Sequence, residues 1–178
     1  TLFLFFVESG LQAPGWEGPL LVLFFLAAAA SAPFWGWAAG RWGAKPVLLS
    51  AMVLAIVTFA GVLTLGPGDV AAFAAICVLS GATIGADLTL MPALFARRMA
   101  TISPNGGQGF GLWSLVTKFS LAFAAVALLP LLEASGFRSG AADNPPDALR
   151  MLTWLYALVP CLLKLLAIGL LVAIPLEE

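Results

Sequence analysis

Apolar runs of about 20 residues, parted by polar or Gly/Pro-rich stretches, recur along this chain and leave it few ways to fold. They cover residues 19–39, 47–65, 70–96, 109–132 and 151–174. A helix rises about 1.5 Å per residue and the hydrocarbon layer of a bilayer is about 30 Å thick, so each run has the length of a spanning helix. Barrel strands would be about 10 residues long with alternating polarity, which these runs lack. A further apolar stretch, residues 1–7, is too short to span and has no basic flank of the kind a signal peptide carries. It reads as the tail of a helix that begins upstream. The expectation is one all-α, polytopic membrane domain over 1–178, with about six transmembrane helices of which the first is truncated.

Composition closes the soluble alternative. The chain is 62% hydrophobic and 10% charged, with a mean hydropathy of +1.05, where a globular domain is roughly 45–50% apolar and about 25% charged. A net charge of -1 leaves no basic surface for nucleic acid. There is no histidine, and Cys77 and Cys161 stand alone in apolar runs, so neither a zinc site nor a nucleophile with its base can be assembled. The two cysteines read as small apolar filler. No enzyme and no cofactor is expected, beyond a coupling ion.

Charge in the loops sets orientation. Arg41, Lys45, Arg97 and Arg98 fall on one side with no acid. Glu8, Glu17, Asp69, Glu133, Asp143 and Asp147 fall on the other, against Arg138 and Arg150. The positive-inside rule places the first side, and with it the C-terminus, in the cytoplasm. Trp35, Trp37, Trp42 and Trp113 then lie near the inner surface and Trp154 near the outer, where indole rings prefer to sit. In the loop 133–150, Asn144 is positioned to cap a helix entered through Pro145 and Pro146.

Three ionisable residues remain inside the spans: Asp87, Lys118 and Lys164. A lone charge at the bilayer centre costs about 3 kcal/mol on insertion scales. Counted from the inner ends of their runs, Asp87 lies about 15 Å deep, Lys118 about 14 Å and Lys164 about 16 Å, all at one level. Asp87 and Lys118 stand on consecutive helices joined by a short loop bearing Arg97 and Arg98. Such helices pack side by side, so these two are expected to meet and to mark a polar path for an ion, proton or solute. A purely structural ion pair is the plainer alternative, and Lys164 has the option of snorkelling to the headgroups. Gly81 and Gly85, like Gly36 and Gly40, form GxxxG spacings that let backbones approach. Pro92, five residues after Asp87, is expected to bend or break its helix.

The segments LFLFFVESGL, PFWGWAAGRWGAKP, GPGDVAAF, SGATIGADLTLMPALFA, GLWSLVTKFSLAFAAVALLPLLEASGF and LYALVPCLLKLLAIGLL together resemble the glycoside-pentoside-hexuronide cation symporters. These are the melibiose permease-like branch of the major facilitator superfamily. The resemblance covers nearly the whole chain and implies the second six-helix half of such a transporter, with the N-terminal half absent. It implies that Lys118 stands where the family carries a lysine in its eleventh helix, near the sugar and cation path, and that Asp87 is the acid of the tenth helix. Gly36, Arg41, Gly43 and Lys45 resemble the cytoplasmic loop motif G-x-x-x-D-R-x-G-x-K, with Gly40 in place of its acid. After Ala96 the family continues with an Ala-Asp pair and further acids, where this chain has Arg97, Arg98 and MATISPNGGQ. The function implied is symport of a sugar or related small solute, coupled to Na+ or H+, in the cell (inner) membrane. It would work by alternating access against the N-terminal six-helix half. A transport-inactive scaffold or sensor that kept the fold is the alternative.

Overall fold

The computed structural model describes residues 2–102, 107–138 and 144–173. A short helix α1 (Leu2–Phe5) runs into a π-helical turn at Phe6–Gly10. Then come α2 (Glu17–Trp42), α3 (Ala44–Gly61, ending in a 3₁₀ turn at Val62–Thr64), α4 (Val70–Ile102) and α5 (Gly107–Ala134). The last crossing is built from α6 (Pro146–Thr153), a π-helical turn at Trp154–Leu158 and α7 (Val159–Ala173). Among the described residues five stretches are long and apolar enough to cross a membrane, namely Glu17–Trp42, Ala44–Thr64, Val70–Ile102, Gly107–Ala134 and Pro146–Ala173.

The helices are longer than hydropathy alone predicts. The loop expected over residues 40–46 reduces to Gly43, which adopts φ 88° and turns the chain sharply between α2 and α3. Pro46 falls in the first turn of α3, where its missing N–H costs nothing. Helix α4 does not stop at Ala96 but runs to Ile102, so Arg97 and Arg98 lie on an exposed helical surface and not in a loop. Met, Ala and Arg are good helix formers, and the residues 93–102 hold neither Gly nor Pro. At the chain's beginning the helix continues through Glu8 to Gly10. Asn144 does not cap α6. Pro145 occupies that position, while the Asn144 amide accepts from the Arg138 N–H at 2.8 Å and donates to the Arg138 carbonyl at 3.2 Å, closing the α5–α6 loop on itself. Asp143, Glu177 and Glu178 lie outside the described residues.

In lipid there is no hydrophobic drive between helices, so association rests on close packing and interhelical hydrogen bonds. Helix α2 lies along α4 in the most extensive contact of the fold, α3 packs on both, and α7 packs on α3. Gly81 and Gly85 make the α2–α4 approach possible. A methyl group at Gly81 would strike the Phe24 carbonyl oxygen, and one at Gly85 would strike the Ala28 carbonyl and the Ser31 hydroxyl. Gly36 and Gly40 have open space on their face, so the second GxxxG joins no helices here.

Two buried clusters hold the bundle's ends. Near the basic end, Trp35, Leu48, Met52, Ala86 and Leu90 pack together. At the opposite end, Phe6, Leu20, Val62, Phe73 and Cys77 surround the aromatic stack of Phe6 on Tyr156. There the Gly68 N–H donates to the Leu11 carbonyl at 2.9 Å, tying two loops. At the basic end the Lys45 ammonium reaches the Val172 carbonyl at 3.5 Å, so α7 finishes beside the start of α3. A third cluster of Leu132, Phe137, Ala148 and Leu152 joins the end of α5 to α6. Leu132 is the buried residue of α5 among those described; the rest of that helix turns large apolar side chains outward.

Candidate functional site

The rotation of α4 decides which way its acid points. Its glycine face is held against α2, where the Trp35 indole N–H donates to the Ala82 carbonyl at 2.7 Å and the Ser31 hydroxyl lies 3.0 Å from the same oxygen. Asp87 follows Gly85 by two residues, about 160° around the helix, so it points away from α2. It faces α3 and α7.

There Lys164 donates to Asp87 Oδ2 as an ion pair. This corrects the expected Asp87–Lys118 meeting. Consecutive helices need not touch at mid-depth: α4 and α5 meet where Phe95 packs on Phe110 and Trp113, at centroid distances of 5.2 and 4.8 Å, and where Met99 crowds Gly109. From there they splay around an open groove of about 910 Å³, lined by Met91, Phe95, Leu112, Trp113, Thr117 and Ser120. Lys118 lies about 160° around α5 from Ser120, away from this groove. It is exposed and makes no hydrogen bond or ion pair among the described residues. Lys164 does not reach outward to snorkel; its side chain is 22% exposed, against 19% for Asp87.

The pair edges a half-open pocket of about 190 Å³ between three helices: Ala55, Ile56 and Phe59 of α3; Ser80, Thr83 and Ile84 of α4; Pro160 and Cys161 of α7. Ser80 and Thr83 donate within α4, to the Ile76 carbonyl at 2.6 Å and the Ser80 carbonyl at 2.8 Å. The Asp87 Oδ1 atom is buried and has no hydrogen-bond partner among the described residues. An unsatisfied carboxylate oxygen in a low-dielectric setting costs more than a neutral polar group left alone.

Ser80, Thr83 and Asp87 form a stripe at i, i+3 and i+7, a helical face that hydropathy passes over because hydroxyls weigh little against leucines. Cys161 and Pro160 belong to the same pocket and carry no signal in the sequence. Pro92 sits within α4, which runs unbroken past it. At the basic end Arg41 is exposed in the last turn of α2, where a cation complements the helix dipole. Gly43 supplies the turn that Gly36 and Gly40 do not. Over residues 1–178 the chain matches the family described as MFS/sugar transport protein. A comparison with curated proteins finds no match.

Proposed function

Because the chain belongs to the MFS/sugar transport protein family, a class of membrane transporters and not of enzymes, we propose that it moves a sugar or related small solute by ion-coupled symport. Its bundle would rock against a second six-helix bundle, the N-terminal half of the same transporter, in the alternating-access manner of inverted-repeat carriers. The basic end, with Arg41, Lys45, Arg97 and Arg98, faces the cytoplasm of the cell (inner) membrane, and the C-terminus lies on that side.

One observation carries this reading: a carboxylate and an ammonium neutralise each other at the edge of a half-open pocket between three helices, with one carboxylate oxygen left unpaired among the described residues. Charges inside an apolar bundle are expensive and cluster on ion, proton and substrate routes. The exposed Lys118, on the helix least packed against this bundle, supports a role on the solute path where a facing bundle would complete the wall. The chemistry is binding and release only; nothing is bonded or broken in the solute.

The test is uptake and counterflow of radiolabelled sugars in proteoliposomes holding the full-length protein, under imposed H+ or Na+ gradients. Gradient-driven uptake that is lost in Asp87→Asn and in Lys118→Ala is the expected result. If no sugar exchanges under any gradient, and both substitutions alter only the melting temperature, the protein is a scaffold that kept the fold.

A further inference from the structure

We propose that the groove between α4 and α5 holds an anionic phospholipid, with an acyl chain laid between the two helices and the phosphate on Arg98. From the reading above this takes only the end that faces the cytoplasm. Binding of the lipid does not depend on transport of a solute.

The dimensions suit a lipid tail. The groove measures about 910 Å³, near the top of the range of about 300–1,000 Å³ for pockets that hold organic molecules. Its wall on α5 runs from Gln108 to Leu121, which is about 20 Å along the axis. One leaflet of hydrocarbon is about 15 Å deep, half of the 30 Å layer. A chain that enters at the basic end therefore has wall beside it through the depth of its leaflet.

The lining fits carbon and little else. Met91 and Phe95 of α4 face Leu112, Val116 and Leu121 of α5. The Thr117 hydroxyl donates to the Trp113 carbonyl at 2.8 Å, so Gln108 and Ser120 are the polar side chains left free to a ligand, about 18 Å apart along α5. A sugar would surrender its hydrogen bonds to water and find few replacements here. A hydrocarbon chain surrenders none. Bulk lipid is equally apolar, however, so the tail supplies fit and no selectivity. Selectivity has to come from the headgroup.

Arg98 supplies it. It follows Met91 by seven residues and Phe95 by three, which sets it on the groove face of α4 at the basic end. Arg97 lies about 160° around the helix from Phe95, on the far face. Both arginines are exposed, and neither makes an ion pair among the described residues. Residues 103–106, which join α4 to α5, include no acid, while Glu8, Glu17, Asp69, Glu133 and Asp147 belong to the opposite end of the bundle. A guanidinium without a carboxylate beside it is matched by a phosphodiester, whose oxygens accept its fork of donors bidentately. Choline and ethanolamine headgroups bring a cation of their own toward Arg98; a net-anionic headgroup does not. Basic pockets between helices at the cytoplasmic surface recognise such headgroups, and the Trp113 indole in the same wall suits the boundary between tail and headgroup.

The experiment is native mass spectrometry of the full-length protein, titrated in detergent with phosphatidylglycerol or with phosphatidylcholine of the same chains. Phosphatidylglycerol is expected to bind its first site more tightly than phosphatidylcholine does. Arg98→Gln should weaken that site about fivefold, the weight of one arginine beside an anionic headgroup, and leave phosphatidylcholine unchanged. Arg98→Lys should keep most of the affinity, and Arg97→Gln all of it. Val116→Trp, at an exposed position of the wall, should fill the groove and remove the site while melting with the wild type. Equal affinity for the two lipids, indifference to Arg98→Gln, or equal losses in the Arg97 and Arg98 variants would overturn the proposal, the last by reducing the effect to diffuse surface charge. Unchanged binding in Val116→Trp would overturn it too, because the groove would then be covered in the whole protein by its other half or by a second copy. Displacement of the lipid by free glycerol phosphate would show that the headgroup alone is held and the groove is not used. None of these readouts involves sugar uptake, so a protein that transports nothing still passes or fails this test, and a working transporter without the lipid site fails it.

Discussion

Trp35 of α2 donates its indole N–H to the Ala82 carbonyl of α4 at 2.7 Å, one turn from the Ser31 hydroxyl that lies 3.0 Å from the same oxygen. These donors and the two glycines beside them lock the rotation of α4, and thereby send Asp87 toward α7. The catalogue of charges matters less than this lock, because a turned α4 would offer the same acid to lipid.

Trp35→Phe keeps the ring's bulk and deletes the donor. Interhelical hydrogen bonds in membrane proteins are worth about 0.6 kcal/mol on average and reach about 1.7. The expected loss is in that range, read as a drop of a few degrees in melting temperature in detergent micelles. Adding Ser31→Ala should lower the melting temperature a little further and no more, since the Ala82 carbonyl keeps its backbone donor within α4 and the Ser31 hydroxyl also lies 3.0 Å from the Ala28 carbonyl. A melting temperature unchanged in both variants would show that these bonds do not hold α2 to α4.

Gly85→Val should be far worse. The side chain would run into the Ala28 carbonyl and the Ser31 hydroxyl, and backbone cannot give way as a flexible side chain does. Overpacking costs about 1–3 kcal/mol in ordinary cores and occasionally more. Gly36→Val, on an open face, is the control. Loss of the monodisperse peak in size-exclusion chromatography is expected for the first and not for the second; equal behaviour would mean that α2 and α4 are not held at this spacing.

For the ion pair the diagnostic is a double-mutant cycle. Removing one member of a buried pair leaves the other uncompensated, at a cost of about 3–5 kcal/mol. Asp87→Asn and Lys164→Met should each lower thermal stability strongly, while the double variant recovers most of the loss. Two single losses that merely add would falsify the pairing of Asp87 with Lys164 in the bilayer.

How much of this was readable beforehand divides along physical lines. Run length and polarity are local quantities, so the five spans and the basic end were legible in the residues themselves. Boundaries were less so. One glycine with φ 88° replaced a seven-residue loop, and the arginines after Ala96 continued a helix because an exposed charge does not break one. The partner of Asp87 depends on which helices are neighbours and how each is turned, and that is not a local quantity. Even so, part of it was within reach: the Gly81/Gly85 spacing names the face of α4 that must meet another backbone, and Asp87 sits on the far side of it. What the spacing could not say is that α7 would stand there and that α5 would splay away.

Lys118 sets the last prediction. It is exposed, unpaired among the described residues and remote in angle from the α4–α5 groove, so this bundle gains little from its charge. Substitutions at such positions usually change stability by no more than about 0.5 kcal/mol. Lys118→Ala should therefore melt with the wild type. A lysine kept at mid-span without a partner in its own bundle is costly unless solute, water or a facing bundle meets it during the cycle. Uptake in proteoliposomes should then fall by at least tenfold in Lys118→Ala, and Lys118→Arg, which keeps the charge but changes its shape, should restore only part of it. A variant that melts several degrees lower would instead give Lys118 a structural partner within this half, and full uptake in the alanine variant would take it off the solute path.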